Sequence, residues 1–106
     1  MRGGSRYTAP SLVLQARERP ESKSNRELAR FGFTATKTLG GAVVRNRARR
    51  RLKEAVRLTA PSHAVKGYDY VLIARTGTVQ RPFTELIKDL ERALAKVHEP
   101  ATAKKR

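Results

Sequence analysis

The sequence predicts one α+β domain, a mixed α–β sandwich in which helices cover a single small sheet. Three observations predict it. The 106 residues are enough for one compact domain and too few for two. Hydrophobic residues make up 39% of the chain, which supplies one modest core. Period-two and period-3.6 apolar patterns alternate in the order strand, strand, helix, strand, helix, without an internal repeat.

Residues 1–10 read as irregular, with Gly3, Gly4 and Pro10 as punctuation. Leu12 to Arg17 is a short strand, and the polar stretch from Glu18 to Asn25 is a flexible loop. A second strand spans Arg30 to Lys37. Its alternation puts Phe31, Phe33 and Ala35 on a core face and Gly32, Thr34 and Thr36 on the other. The segment Thr38-Leu39-Gly40-Gly41 turns the chain into a helix from Ala42 to about Thr59, with Val44, Ala48, Leu52, Ala55, Val56 and Thr59 as its apolar stripe. Pro61 sets the stop. Tyr70 to Ala74 is a continuous apolar run of strand length, read as a buried strand. A last helix opens near Pro82 and repeats Phe83, Leu86, Ile87, Leu90, Leu94 and Val97 at helical spacing. Residues 99–106 read as a disordered tail, so the single domain takes in the whole chain, 1–106.

The charge balance is the most unusual figure: 24 Lys and Arg against 9 Asp and Glu, a formal +15. Such an excess destabilises a compact chain by self-repulsion, and a polyanion such as nucleic acid relieves it. With no Cys there is no disulfide, thiolate nucleophile or Cys-based metal site, and His63 and His98 stand far apart. No apolar run approaches the ~20 residues of a membrane span, and no secretory signal opens the chain. A cytoplasmic protein is the default expectation.

The positive charge is concentrated. Val43 to Arg57 holds seven basic residues and one acid, whereas Pro82 to Glu99 holds three basic residues and four acids. Both are helical stretches, so helix formation does not account for the difference. Arg45, Arg49 and Lys53 lie four apart and line up, and Asn46, Arg50 and Arg57 extend the band along a neighbouring row. Stacked like charges make sense with phosphates laid across them, and the planar fork of arginine suits that contact. A basic leucine zipper is excluded by Pro61 and the strand that follows. A helix-turn-helix is disfavoured by the strands on either side. A self-sufficient metal nuclease needs clustered carboxylates or histidines, and the nine acids are dispersed.

The block from Arg30 to Leu58, RFGFTATKTLGGAVVRNRARRRLKEAVRL, resembles the protein subunit of bacterial ribonuclease P. The match lies in Arg45-Asn46-Arg47, Arg49-Arg50 and Lys53-Glu54, with Lys37, Gly40, Ala42 and Val43 upstream. Tyr70 to Arg75 resembles the strand that follows that helix, and the likeness covers roughly residues 10–97. The resemblance implies a ribosomal-protein-like α–β sandwich with a small, mostly antiparallel sheet and a left-handed strand–helix–strand crossover, against the usual handedness. It implies a non-catalytic partner of a catalytic RNA, the two together removing the 5′ leader from precursor tRNA. The magnesium ions are held by the RNA, with no cofactor bound by the protein alone and neither membrane nor DNA as partner.

Carried over by motif, Arg45, Asn46, Arg47, Arg49, Arg50 and Lys53 are the expected contacts to the catalytic RNA. Val13, Gln15, Thr34 and Thr36, on the sheet face away from the expected core, are the expected leader cleft, with Arg30 and Lys37 at basic positions flanking it. The family also carries an N-terminal helix with aromatic residues that walls this cleft, and this chain starts about where that helix should end. Gln15 stands where an aromatic is often found, and Gly41 where Asn is frequent. The competing reading is a ribosomal-type or general RNA-chaperone protein; the charge supports both, and only the Arg-Asn-Arg block separates them.

Overall fold

The computed structural model describes residues 4–18 and 29–98. Four strands, β1 (Gly4–Thr8), β2 (Leu12–Glu18), β3 (Arg30–Thr34) and β4 (Tyr68–Ala74), form one sheet in the order β1-β2-β4-β3. The β1–β2 and β2–β4 pairs are antiparallel, and β3 runs parallel to β4. That parallel pair needs a crossover, which helix α1 (Ala42–His63) supplies after a short 3₁₀ turn at Lys37–Leu39. Helices α2 (Thr76–Gln80) and α3 (Phe83–Val97) complete the domain.

The core lies on one face of the sheet. Leu12, Leu14 and Ala16 of β2 and Tyr70, Leu72 and Ala74 of β4 meet Ala48, Leu52 and Ala55 of α1 and Leu86, Leu90 and Leu94 of α3. α1 packs over β3 and β4, and α3 over β2 and β1. Phe31 and Phe33 pack against this cluster as the alternation predicts, and Phe31 stacks on Tyr70 with ring centroids 4.9 Å apart.

Several expectations are corrected. Residues 1–10 are not wholly irregular. Gly4–Thr8 is an edge strand in register with β2, and Tyr7 packs against the core. Its alternation was hidden behind the glycines, and its partner supplies the hydrogen bonds that local propensity does not. β3 stops at Thr34, and Lys37 lies in the 3₁₀ turn. α1 runs through Pro61 to His63. There the proline is exposed in the last turn, where its missing N–H removes one helical bond, and the next residues close normally with Ala64 N–H on the Ala60 carbonyl at 2.9 Å. Val44 stays 37% exposed, in a first turn of α1 where Ala42 and Val43 are exposed as well. β4 begins at Tyr68 and is buried on one face only, since Val71 and Ile73 point away from the helices. α2 had no counterpart in the sequence reading. The expected loop at residues 19–25 and the tail from residue 99 lie outside the described residues.

α2 owes its place to tertiary contacts. Thr78 donates its hydroxyl proton to the Ser11 carbonyl, and Arg75 Nη1 donates to the Ala9 carbonyl at 2.9 Å. Gly77 lets the helix touch the β1–β2 turn, where a Cβ would come within 2.6 Å of the Pro10 carbonyl oxygen. From the same turn Ser11 Oγ donates to the buried Asp89 carboxylate of α3 at 2.6 Å, and Arg81 Nε lies 3.0 Å from that carboxylate.

At the other end of the core Tyr70 Oη accepts from Val65 N–H at 2.9 Å and lies 2.6 Å from His98 Nε2. Burial holds His98 below the usual histidine value of 6.5. The unfolded chain therefore takes up the proton first, so stability present above pH 6.5 is lost as the pH falls through that value. Urea midpoints should drop between about pH 7.5 and 5.5, and His98→Gln should flatten that slope; an unchanged slope would remove His98 as its source.

Candidate nucleic-acid interface

The interface begins with a turn that only glycine can make. Gly40 has φ 148°, a conformation closed to L side chains, and a Cβ there would lie 3.1 Å from that of Val44. The next residue, Gly41, caps α1 in an extended conformation with no side-chain hydrogen bond.

At 100° per residue, the buried positions Ala48, Leu52, Ala55, Val56 and Thr59 fix which residues face out. Asn46, Arg50 and Arg57 fall opposite the core. Arg45, Arg49 and Lys53 fall on the flank toward β3, where Lys53 Nζ stands 6.0 Å from the centre of the Phe33 ring. Arg47 and Arg51 fall on the flank toward α2 and α3. Of the six residues expected to contact the catalytic RNA, four share one continuous, solvent-facing surface and two lie at its border. Arg45 and Arg49 are half-buried at its border, and Asn46, Arg47, Arg50 and Lys53 are exposed.

Little within the protein neutralises this surface. Glu54 is the sole acid of α1. It is held by Arg57 through a two-pronged contact, one arm of which measures 3.0 Å. That hydrogen bond holds the Glu54 carboxyl below its ordinary value and raises Arg57, so Glu54 stays ionised and committed. Arg49 Nη1 donates to Asn46 Oδ1 at 3.0 Å, which orders the guanidinium without cancelling its charge. Among the described residues Arg45, Arg47 and Arg50 make no ion pair.

Arg51, counted among the seven basic residues of the helix but not among the six expected RNA contacts, differs from its neighbours. Its Nε donates to the Thr78 carbonyl at 2.7 Å and its Nη2 to the Arg81 carbonyl, while its guanidinium carbon sits 5.6 Å from the centre of the Phe83 ring. It therefore caps the C-terminal end of α2, where carbonyls lack helical partners. No local sequence signal marks this role, because α2 itself was not expected.

The second group of expected residues lies on the sheet face away from the helices. The register places Val13, Ile73 and Thr34 in one row, Arg6, Gln15, Val71 and Gly32 in a second, and Arg17, Asp69 and Arg30 in a third. Val13, Gln15, Arg30 and Thr34 thus share this face, but Val13 is buried there at 7% exposure, so the face it was expected to offer to the leader is largely covered at that position. Thr36 and Lys37 lie past the end of β3, with the Thr36 hydroxyl 2.7 Å from that of Thr38. A shallow cavity of about 470 Å³ opens here between β1, β2 and β4, with Arg6, Gln15, Arg17, Asp69 and Val71 in its lining. Gln15 is the one expected residue that lines it. Arg6, Arg17 and Asp69 were missed, Arg6 because β1 was missed. The Ser5/Tyr7 against Arg6/Thr8 alternation was the available signal. Among the described residues no three of His, Asp and Glu come together as a metal-holding group.

A small sheet packed on one face, with an arginine-lined helix whose charges the protein leaves unneutralised, defines a basic RNA-binding α–β sandwich. The chain belongs to the ribonuclease P protein family, whose model, described as Ribonuclease P, matches residues 1–98. It is 50% identical over 96 residues to the ribonuclease P protein component of Ruegeria pomeroyi, covering 90% of this chain and 75% of that one. It is 46% identical over 92 residues to that of Paramagnetospirillum magneticum, covering 87% and 69%. The RNase P protein of Staphylococcus aureus superposes with a TM-score of 0.68 at 26% identity, over 91% of this chain and 84% of that one. That of Thermotoga maritima, at 21% identity, shares the fold with a TM-score of 0.74 over 91% and 86%.

The contrast between Arg51 and the rest of the band is testable. Arg51→Ala strands the Thr78 carbonyl of α2 and the carbonyl of its C-cap residue Arg81, and should lower the unfolding free energy by about 1–3 kcal/mol in urea titrations; a change below about 0.5 kcal/mol, ordinary for a surface site, would refute the capping role.

Proposed function

We propose that this chain is the protein component of a ribonucleoprotein ribonuclease P, binding its catalytic RNA and the 5′ leader of precursor tRNA while the RNA performs the cleavage. The observation that carries this reading is the exposed face of α1, where Arg47 and Arg50, with the half-buried Arg45 at the border, have no ion-pair partner among the described residues. Arg45, Asn46, Arg47, Arg49, Arg50 and Lys53 would lie against phosphates of the catalytic RNA. Val13, Gln15, Arg30, Thr34, Thr36 and Lys37, joined by Arg6 and Arg17, would accompany the leader across the open sheet face. Apart from the apolar Val13, Val71 and Ile73, the side chains there are polar or charged, which suits a strand bound with little sequence preference.

In this reading the chemistry belongs to magnesium ions held by the RNA. The chain's own residues supply positive charge between two polyanions, so that catalytic RNA and substrate approach closely enough to share the ions. No helix among the described residues is long and apolar enough to cross a membrane, and a cytoplasmic place fits this reading.

Reconstitution tests it. The protein mixed with a bacterial ribonuclease P RNA and precursor tRNA at low magnesium should release the leader only when both protein and RNA are present. Cleavage by the protein alone would contradict the assignment, and tight RNA binding without stimulation would favour a general RNA chaperone. Binding should weaken with salt at a log–log slope of about −0.7 to −0.9 per phosphate contacted. Arg45→Ala and Arg49→Ala should each reduce that slope by about one unit. Unchanged slopes in both would remove α1 from the interface.

A further inference from the structure

We propose that the pocket between α1 and the start of α3 binds one unpaired nucleotide of RNA, its base against Phe83 and the Arg51 guanidinium and its phosphate between Arg47 and Arg50. The proposal rests on the RNA-binding reading above and adds a site on the flank of α1 that faces away from β3. The pocket is shallow, about 400 Å³, and is lined by Arg47, Arg50, Arg51, Glu54 and Phe83.

Three features point to a nucleotide. The first is uncompensated charge. Arg51 is fixed by two carbonyls, which orient it but leave its positive charge whole. Arg47 and Arg50 have no ion-pair partner among the described residues, and the one carboxylate at the rim, Glu54, is committed to Arg57. Three cations around one cavity repel one another until an anion enters. The second is the aromatic ring. Phosphate alone would need only the arginines, whereas Phe83 stays half-buried at the pocket and Arg51 lies over its ring. Bases stack on aromatic rings and on guanidinium planes alike. A base inside a duplex has both faces covered, so the occupant is unpaired. The third is order in advance. Arg51 is held by α2, and Phe83 packs partly against the core, so neither needs to be ordered by the ligand. An acidic peptide would satisfy the arginines and leave the ring unused.

The chain contains no tryptophan, which gives a direct test. Phe83→Leu keeps an apolar side chain but removes the ring. Its affinity for a ribonuclease P RNA should fall by about 5- to 150-fold, the usual range for one lost base stack. Its salt slope should match that of the unaltered protein, because no phosphate contact is removed. Phe83→Trp should bind like the unaltered protein, and the introduced indole's emission should fall as RNA is added. Unaltered affinity in Phe83→Leu would overturn the site, and so would unaltered emission in Phe83→Trp, which stands even if the leucine variant folds poorly. Equal quenching by polyglutamate would reassign the pocket to acidic protein segments and likewise overturn it. If the unaltered protein itself does not bind the RNA, the proposed function falls as well; if it binds and only these outcomes fail, the pocket alone falls.

Discussion

Ala48, Leu52 and Ala55 have no exposed surface at all, and through them α1 lies directly on β3, β4 and α3. This packing sets the helix's rotation about its own axis. Once those positions, with Val56 and Thr59, are turned to the core, the 3.6-residue repeat leaves no freedom in where Asn46, Arg50, Lys53 and Arg57 point. The arrangement of cations is thus inherited from the core. A helix that must bury one side and present charge on the other also cannot recruit its neighbours to neutralise that charge. Glu54 reaches Arg57 only, and Asn46 orders Arg49 without discharging it.

The same packing explains the second surface. Two long helices cover one face of the sheet, and none covers the other among the described residues. Val71 and Ile73 of β4 are left partly exposed beside Gln15 and Arg17 of β2 and Arg6 of β1. Edge strand β3 separates this open face from the basic helix, with Arg30 at one of its ends and Lys37 just past the other. The polar contacts around the β1–β2 turn fix the opposite side of the molecule. Ser11 ties α3 through Asp89 and α2 through Thr78, and Arg51 then locks α1 onto α2. Those contacts hold Phe83 beside the arginines.

Much of this was legible in the sequence where one physical signal dominates. The stripe through Ala48, Leu52 and Val56 and the one through Leu86, Leu90 and Leu94 announce two helices by period alone. Leu12 and Leu14 mark a strand, and the Arg-Asn-Arg block names the family. What stayed hidden depends on partners distant in the chain. β1 is a strand because β2 lies beside it; Gly3, Gly4 and Pro10 mask its alternation. The segment Thr76-Gly77-Thr78-Val79-Gln80 has little helical propensity; Thr78 donates to the Ser11 carbonyl, Arg75 just before it donates to the Ala9 carbonyl, and Arg51 donates to the Thr78 carbonyl. Nothing local distinguishes Arg51, which builds the fold, from Arg50, which faces solvent. The apolar run from Tyr70 to Ala74 could not reveal that only one of its faces would be covered, since that depends on how many helices the chain can lay over the sheet.

The basic face of α1 is arranged for a polyanion and against the stability of the free chain. Arg50→Gln tests it most directly, with unfolding measured in low and high salt beside affinity for ribonuclease P RNA. Stability in low salt should be unchanged or slightly higher, by roughly 0.2–0.5 kcal/mol for each like-charge neighbour relieved. That gain should vanish in high salt, and RNA binding should be weaker. A loss of more than about 1 kcal/mol of stability, the level of a typical destabilising substitution, with RNA affinity intact would contradict it and make Arg50 a structural residue.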